Sequence, residues 1–125
     1  MKGHANQALG ARGEELVSMQ LQAKGYRILE RNFSSRGGEV DIVARDRDGT
    51  IVFVEVKTRT SLAFGLPQLA VTSRKQRQIS KGALAWLSRN RCHQQSARFD
   101  VCAVLLHDDG RFDLEHIENA FELAY

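Results

Sequence analysis

The chain has 125 residues, 42% of them hydrophobic and 26% charged, which suits one globular domain with a sizeable core and excludes wholesale disorder. No apolar run nears the roughly 20 residues a bilayer span needs, the start MKGHANQALGARGEE has no apolar signal centre, and two cysteines make no disulfide framework. The formal charge is +3, and a cytoplasmic protein with Cys92 and Cys102 reduced is the expectation.

Residues 1–7 read as a flexible lead-in to a helix over 8–24, where Leu9, Leu16, Val17, Met19, Leu21 and Ala23 recur at helical spacing before Gly25. Tyr26 to Phe33 reads as a short strand, and Ser34-Ser35-Arg36-Gly37-Gly38 as a turn. Glu39–Arg45 and Thr50–Arg59 are β-branched strands joined by Asp46-Arg47-Asp48-Gly49, whose Asp-Gly signals a hairpin. Pro67 lies in the loop SLAFGLPQ, and a helix is predicted from Ala70 to Asn90. Phe99–Leu106 is a further strand. Arg111–His116 is a shorter last one after Asp108-Asp109-Gly110. The order α-β-β-β-α-β-(β) predicts one mixed α/β domain over residues 1–125.

Charge is spread unevenly. Residues 1–55 hold eight basic and eight acidic groups, whereas Val56 to Phe99 holds nine basic groups and no acid. From Asp100 onward seven acids face Arg111 alone. A basic block in so small a domain is the footprint of a polyanion-binding surface, with a solvated helix face as the plainer alternative.

The hairpin carries the chemistry. Alternation sets Val52, Val54 and Val56 on one face of its second strand and Ile51, Phe53, Glu55 and Lys57 on the other. Val40, Ile42 and Ala44 likewise share a face opposite Glu39, Asp41 and Val43. A tip centred on Asp48 pairs Asp41 with Glu55 and Glu39 with Lys57. Two carboxylates about 5 Å apart repel, and a raised pKa, a lysine or a divalent cation must offset this. Oxygen-only ligands suit Mg²⁺ or Mn²⁺ rather than zinc. With Lys57 on the same face and a basic surface nearby, the set suits phosphodiester hydrolysis. The alternative is a Glu39–Lys57 pair with Asp41 and Glu55 solvated.

The run GGEVDIVARDRDGTIVFVEVKTR, with Asp41 followed by Glu55-Val56-Lys57, resembles the PD-(D/E)XK nuclease superfamily, whose core is ordered αβββαβ. GEE in the first helix, KGYRILERNF, GGEVDIVA, VFVEVKTR and FGLPQLAVTSRKQ resemble the bacterial YraN family more closely, over about Gly10 to Val104. The resemblance implies a restriction-endonuclease-like, Holliday-junction-resolvase-like α/β fold. It implies Asp41 and Glu55 as ligands of Mg²⁺ or Mn²⁺, the Val56 backbone carbonyl as a third, and Lys57 as the catalytic lysine. A first-helix glutamate completes the site in related nucleases, directly or through water. Resolvase-like spacing back from Lys24-Gly25-Tyr26 favours Glu14, although the helical wheel does not separate Glu14 from Glu15. Gly38-Glu39 stands where the superfamily often has a proline before its aspartate. DNA is favoured over RNA by the resemblance alone, and a homodimer is left open.

On the second helix Ile79, Ala83, Trp86 and Leu87 form the buried stripe, and Arg74, Arg77 and Lys81 lie opposite it. Lys75 falls on the core side, where it must snorkel over Trp86 or reach a site or phosphate. Arg36, Arg59, Gln68, Arg74, Lys75, Arg77 and Lys81 are the candidate nucleic-acid contacts. His4, His93, His107 and His116 have no metal-ligand spacing. Two rivals stand beside a nuclease. One is a non-catalytic nucleic-acid-binding or assembly module that retains the fold. The other is a protein-interaction domain using the acidic tail from Asp108 to Glu122 and Phe64-Gly65-Leu66-Pro67.

Overall fold

Alternation along the strands, read against two amphipathic helices, yields a sheet with a helix against each face. The computed structural model describes residues 2–60, 71–92 and 94–124, with side chains from Gln7 onward. Its elements are α1 (Lys2–Ala23), β1 (Arg27–Ser35), β2 (Gly38–Arg45), β3 (Ile51–Arg59), α2 (Ser73–Arg89), β4 (Ala97–Leu106) and β5 (Phe112–Phe121). The sheet runs in the order β1-β2-β3-β4-β5. Only β3 and β4 pair in parallel, as strands joined by a crossover helix must. The expected αβββαβ order is present, with β5 added at the edge. No helix of the described residues is long and apolar enough to cross a membrane.

Under α1, Leu16, Val17 and Leu21 pack on Ile42, Ala44, Val52, Val54, Cys102 and Val104. Under α2, Ile79, Ala83 and Trp86 pack on Phe33, Val43, Ile51, Phe53, Phe99 and Val101. Strict alternation fails in the middle of β2. Val40 belongs with the α2 cluster while Ile42 and Ala44 belong with the α1 cluster, so the shared face expected for these three does not form. The break falls at Asp41. Both cysteines are buried free thiols.

Glycines set how closely the helices approach. A Cβ on Gly38 would lie 2.3 Å from the Gly82 nitrogen, and one on Gly82 would lie 2.9 Å from the Glu39 nitrogen. Thus α2 rests backbone to backbone on the start of β2. On the other face a Cβ on Gly13 would overlap the Thr58 hydroxyl at 1.8 Å, so α1 lies directly on the end of β3.

Three boundaries differ from expectation by more than two residues. Helix α1 begins at Lys2, so residues 2–7 continue it instead of forming a separate lead-in. Helix α2 begins at Ser73, after Thr72, whose side chain accepts a hydrogen bond from the Lys75 nitrogen as an N-cap. The last strand reaches Phe121 rather than His116, because pairing of Phe99 with Phe121 carries the polar stretch Glu118-Asn119-Ala120 along β4 past an irregularity. Asn119 absorbs it at φ 51°, a conformation asparagine tolerates better than most residues.

Candidate active site

The hairpin register is the one expected: Ile42 faces Val54, Val43 faces Phe53, Ala44 faces Val52 and Arg45 faces Ile51. Regular pairing ends there. Asp41 and Glu55 are not ladder partners. Instead Asp41 Oδ2 accepts the Val56 N–H at 2.8 Å, a side chain taking the place of a backbone acceptor where β2 and β3 part. Glu39 does not meet Lys57 either. It pairs with Lys75 at 2.6 Å, because the Gly38–Gly82 contact draws α2 over this end of β2.

Glu55 is 3% exposed. Its Oε1 lies 3.7 Å from Lys57 Nζ and 3.7 Å from Lys75 Nζ, and its Oε2 is buried without a hydrogen-bond partner. Burial first, and then the charge of Asp41, push the Glu55 carboxyl up to about 8 against the pull of both lysines. Burial also raises Asp41, opposed chiefly by the Val56 N–H. Together they hold a proton more tightly than isolated acids would, chiefly on Glu55. Burial disfavours the Lys75 charge, but the hydrogen bond to Glu39 and the charges of Glu55, Glu39 and Asp41 overcome it and raise its pKa.

Helix α1 contributes Glu14. Its carboxyl is raised by burial and by the charge of Asp41, against Arg31. Asn32, in the left-handed region at φ 54°, donates to Glu14 Oε1 at 3.0 Å once its amide is oriented to suit its neighbours. Glu15 instead pairs with Arg31 at the surface, at 2.9 Å. Of the two helix acids, Glu14 is the one turned toward Asp41. It does not complete a cage: among the described residues no three His, Cys, Asp or Glu side chains converge closely enough to hold an ion. The chemistry of the pair still fits a hard divalent cation. Both donors are carboxylates, and one buried oxygen lacks any hydrogen bond.

Of the expected nucleic-acid contacts, Arg74, Arg77 and Lys81 are exposed along α2 and Arg36 is exposed in the β1–β2 turn. Lys81 lies over that turn, 3.7 Å from where a Gly37 Cβ would sit. Beside them a polar cleft of about 320 Å³ is bounded by Ser34, Ser35, Gly37, Gly38, Glu39 and Gln78. Arg59 is half-buried at the end of β3. Lys75 is not on the outer face with the arginines but among the carboxylates. Gln68, His93 and the Phe64–Pro67 segment lie outside the described residues. A larger cavity of about 370 Å³, between α2 and the β4–β5 ribbon, is walled by Phe53, Phe99, Phe121 and Leu123 among others and contains none of the site carboxylates.

Two features escaped the sequence reading. Glu39 is the closest partner of Lys75, which only the helix docking reveals. Arg98, counted in the basic block, is spent internally: it bonds Asp46 at 2.8 Å, Asp100 at 3.0 Å and the Tyr26 hydroxyl at 2.7 Å. His116, read as unremarkable, joins that network. It is 2.7 Å from Asp100 Oδ2, with only 4% of its side chain exposed.

An αβββαβ core whose second and third strands part around a buried acid, a half-buried one and a lysine defines a small α/β protein of the layout the nuclease resemblance implies. The chain belongs to the uncharacterised protein family UPF0102, whose family model matches residues 13–104, in keeping with the resemblance to YraN proteins. It is 68% identical over 123 residues to a UPF0102 protein of Trichlorobacter lovleyi, covering 98% of this chain and 97% of that one. A UPF0102 protein of Pelobacter propionicus is 62% identical over 121 residues, covering 96% and 86%. One of Geobacter sulfurreducens is 58% identical over 122 residues, covering 98% and 94%.

Proposed function

We propose that the protein is a metal-dependent nuclease that hydrolyses phosphodiester bonds of nucleic acid, DNA in preference to RNA, in the cytoplasm. The observation that carries this reading is the gathering of Asp41, Glu55 and Lys57 where β2 and β3 part, with Lys75 brought in from α2. A buried acid and a half-buried one beside two ammonium groups are costly at a sheet end and are the kind of cluster that functional sites collect. Asp41 and Glu55 would hold Mg²⁺ or Mn²⁺, with the Val56 carbonyl as a further ligand and Glu14 acting through water. Such a cation would supply Lewis acidity and positive charge opposite the scissile phosphate.

The protein's own groups do the rest. The Val56 N–H fixes the Asp41 carboxylate. Glu55 presents its unsatisfied oxygen from a rigid strand. Lys57, beside it, orients the attacking water and offsets charge developing on the phosphate. Arg36, Arg74, Arg77 and Lys81 would track the backbone, with Arg59 and Gln68 as further contacts.

The test is cleavage of labelled linear duplex, single strand, flap, four-way junction and RNA with Mg²⁺ or Mn²⁺. Lys57→Ala is expected to slow cleavage by about 10²- to 10⁴-fold, and Asp41→Asn to abolish it while leaving substrate affinity intact. Removing Arg74, Arg77 and Lys81 together should flatten the dependence of log affinity on log salt by up to about 2.7 for duplex DNA. One observation favours a second reading, a nucleic-acid-binding or assembly module without catalysis: Glu14 does not close the site with Asp41 and Glu55. Tight, salt-sensitive binding with no cleavage of any substrate would select it.

A further inference from the structure

The first turn of α2 is charged against its own dipole. It contains Arg74 and Lys75 and no acid, although aligned peptide dipoles leave that end positive and favour carboxylates there. Lys75 is held in place by its surroundings. Its backbone nitrogen is capped by Thr72 at 3.2 Å, and two turns further on Gly82 seats the helix on β2. Its side chain is 22% exposed, with Nζ 2.6 Å from Glu39 Oε1 and 3.7 Å from Glu55 Oε1.

Three carboxyl groups, Glu39, Asp41 and Glu55, thus share two ammonium groups, Lys57 and Lys75. A divalent cation on Asp41 and Glu55 would reverse the balance and repel any ammonium left against Glu55. Lys57 has Glu55 as its one carboxylate within ion-pair distance among the described residues. Lys75 has a second carboxylate, Glu39, at the open side of the site. It is therefore the ammonium that can leave Glu55 without losing all its pairing.

We propose that Lys75 is the resident cation of the metal-free site: Glu39 holds it over the Asp41–Glu55 pair, binding of a divalent cation displaces it, and the freed ammonium then contacts the substrate phosphate. This rests on the nuclease reading and adds to it a positioning pair, Glu39 and Lys75. Lys75 sets the affinity for metal, and Glu39 acts only through Lys75.

The experiment is calorimetric titration of Mn²⁺ into the full chain without nucleic acid, with thermal melts in chelator to report folding. Lys75→Met is expected to bind Mn²⁺ more tightly, on the order of tenfold, and to melt lower in chelator but respond more to Mn²⁺. Lys75→Gln should behave alike and serves should the methionine variant fold poorly. Glu39→Gln, which releases Lys75 from its place over the pair, should tighten Mn²⁺ binding in the wild-type background and change nothing in Lys75→Met. With Ca²⁺ in place of Mg²⁺, to hold cleavage off, Lys75→Met should lose duplex affinity that it keeps in chelator. Equal or weaker Mn²⁺ binding by both Lys75 variants overturns the proposal and leaves the nuclease reading standing. No Mn²⁺ binding by wild type or variants overturns both.

Discussion

A carboxyl buried beside another carboxyl must keep a proton, gain a cation or weaken the fold. Glu55 keeps the proton. Its pKa rises from the ordinary glutamate value to about 8 because burial and Asp41 outweigh the two lysines. The folded protein then binds a proton that the unfolded chain releases near pH 4.5, so the stability this confers is complete below that value and is lost as pH rises through about 8. Metal-free thermal melts should therefore fall between about pH 5 and pH 8. Glu55→Gln should flatten the profile and melt above wild type at pH 8; an unchanged slope would mean the pair is not strained. Asp100 shows the opposite solution. It is fully buried, yet it accepts hydrogen bonds from Arg98, His116 and the Asn119 nitrogen. Burial raises its pKa, but these donors more than reverse that and hold it below the usual aspartate value. The donors around Asp100 leave it satisfied, whereas Glu55 keeps one oxygen without a partner, the oxygen the proposed cation would take up.

Among the elements, α2 decides what the hairpin can do. It can lie close to β2 only because neither Gly38 nor Gly82 has a side chain. Gly82→Ala would gain up to about 1 kcal/mol of helix propensity. Its methyl, however, would press on the Glu39 nitrogen at 2.9 Å and its carbonyl carbon at 3.0 Å, which are backbone atoms with little room to yield. We expect a net loss of about 1–3 kcal/mol in denaturant melts, with Mn²⁺ affinity shifting toward that of Lys75→Met as the helix lifts Lys75 away. Here the limits of sequence reading are physical. The Ile42–Val54 register was legible, because a two-strand hairpin with an Asp-Gly tip and one apolar face per strand admits few slips. The parting of the strands at Asp41 was not, because it depends on a side chain replacing a backbone acceptor. Helix periodicity placed Lys75 on the core side of its helix, but only interhelix-to-sheet packing shows that Glu39 waits there. The length of β5 was hidden because Glu118 and Asn119 are poor strand formers, and pairing with β4 overrides them.

At the scale of the whole molecule the basic block divides. Arg98 is consumed by Asp46 and Asp100, and Lys75 by Glu39, so Arg74, Arg77, Lys81, Arg89 and Arg91 form its exposed remainder, to which Arg36 of the β1–β2 turn adds a further cation. Net charge per segment was plain in the sequence; how much of it reaches solvent depended on which acids the fold brings near. Asp41 and Glu55 come from one hairpin, adjacent in the chain and able to meet early. Lys75 arrives only when α2 docks on β2, and the β3–β4 pairing joins residues more than forty apart in sequence. Contacts so distant are slow to form. Assembly thus brings like charges together while Lys57 is the one ammonium group of the site already at hand, so the climb to the folded state is steepest in alkaline buffer. Stopped-flow refolding in chelator should slow as pH rises from 5 to 8, and Glu55→Gln should remove the slowing.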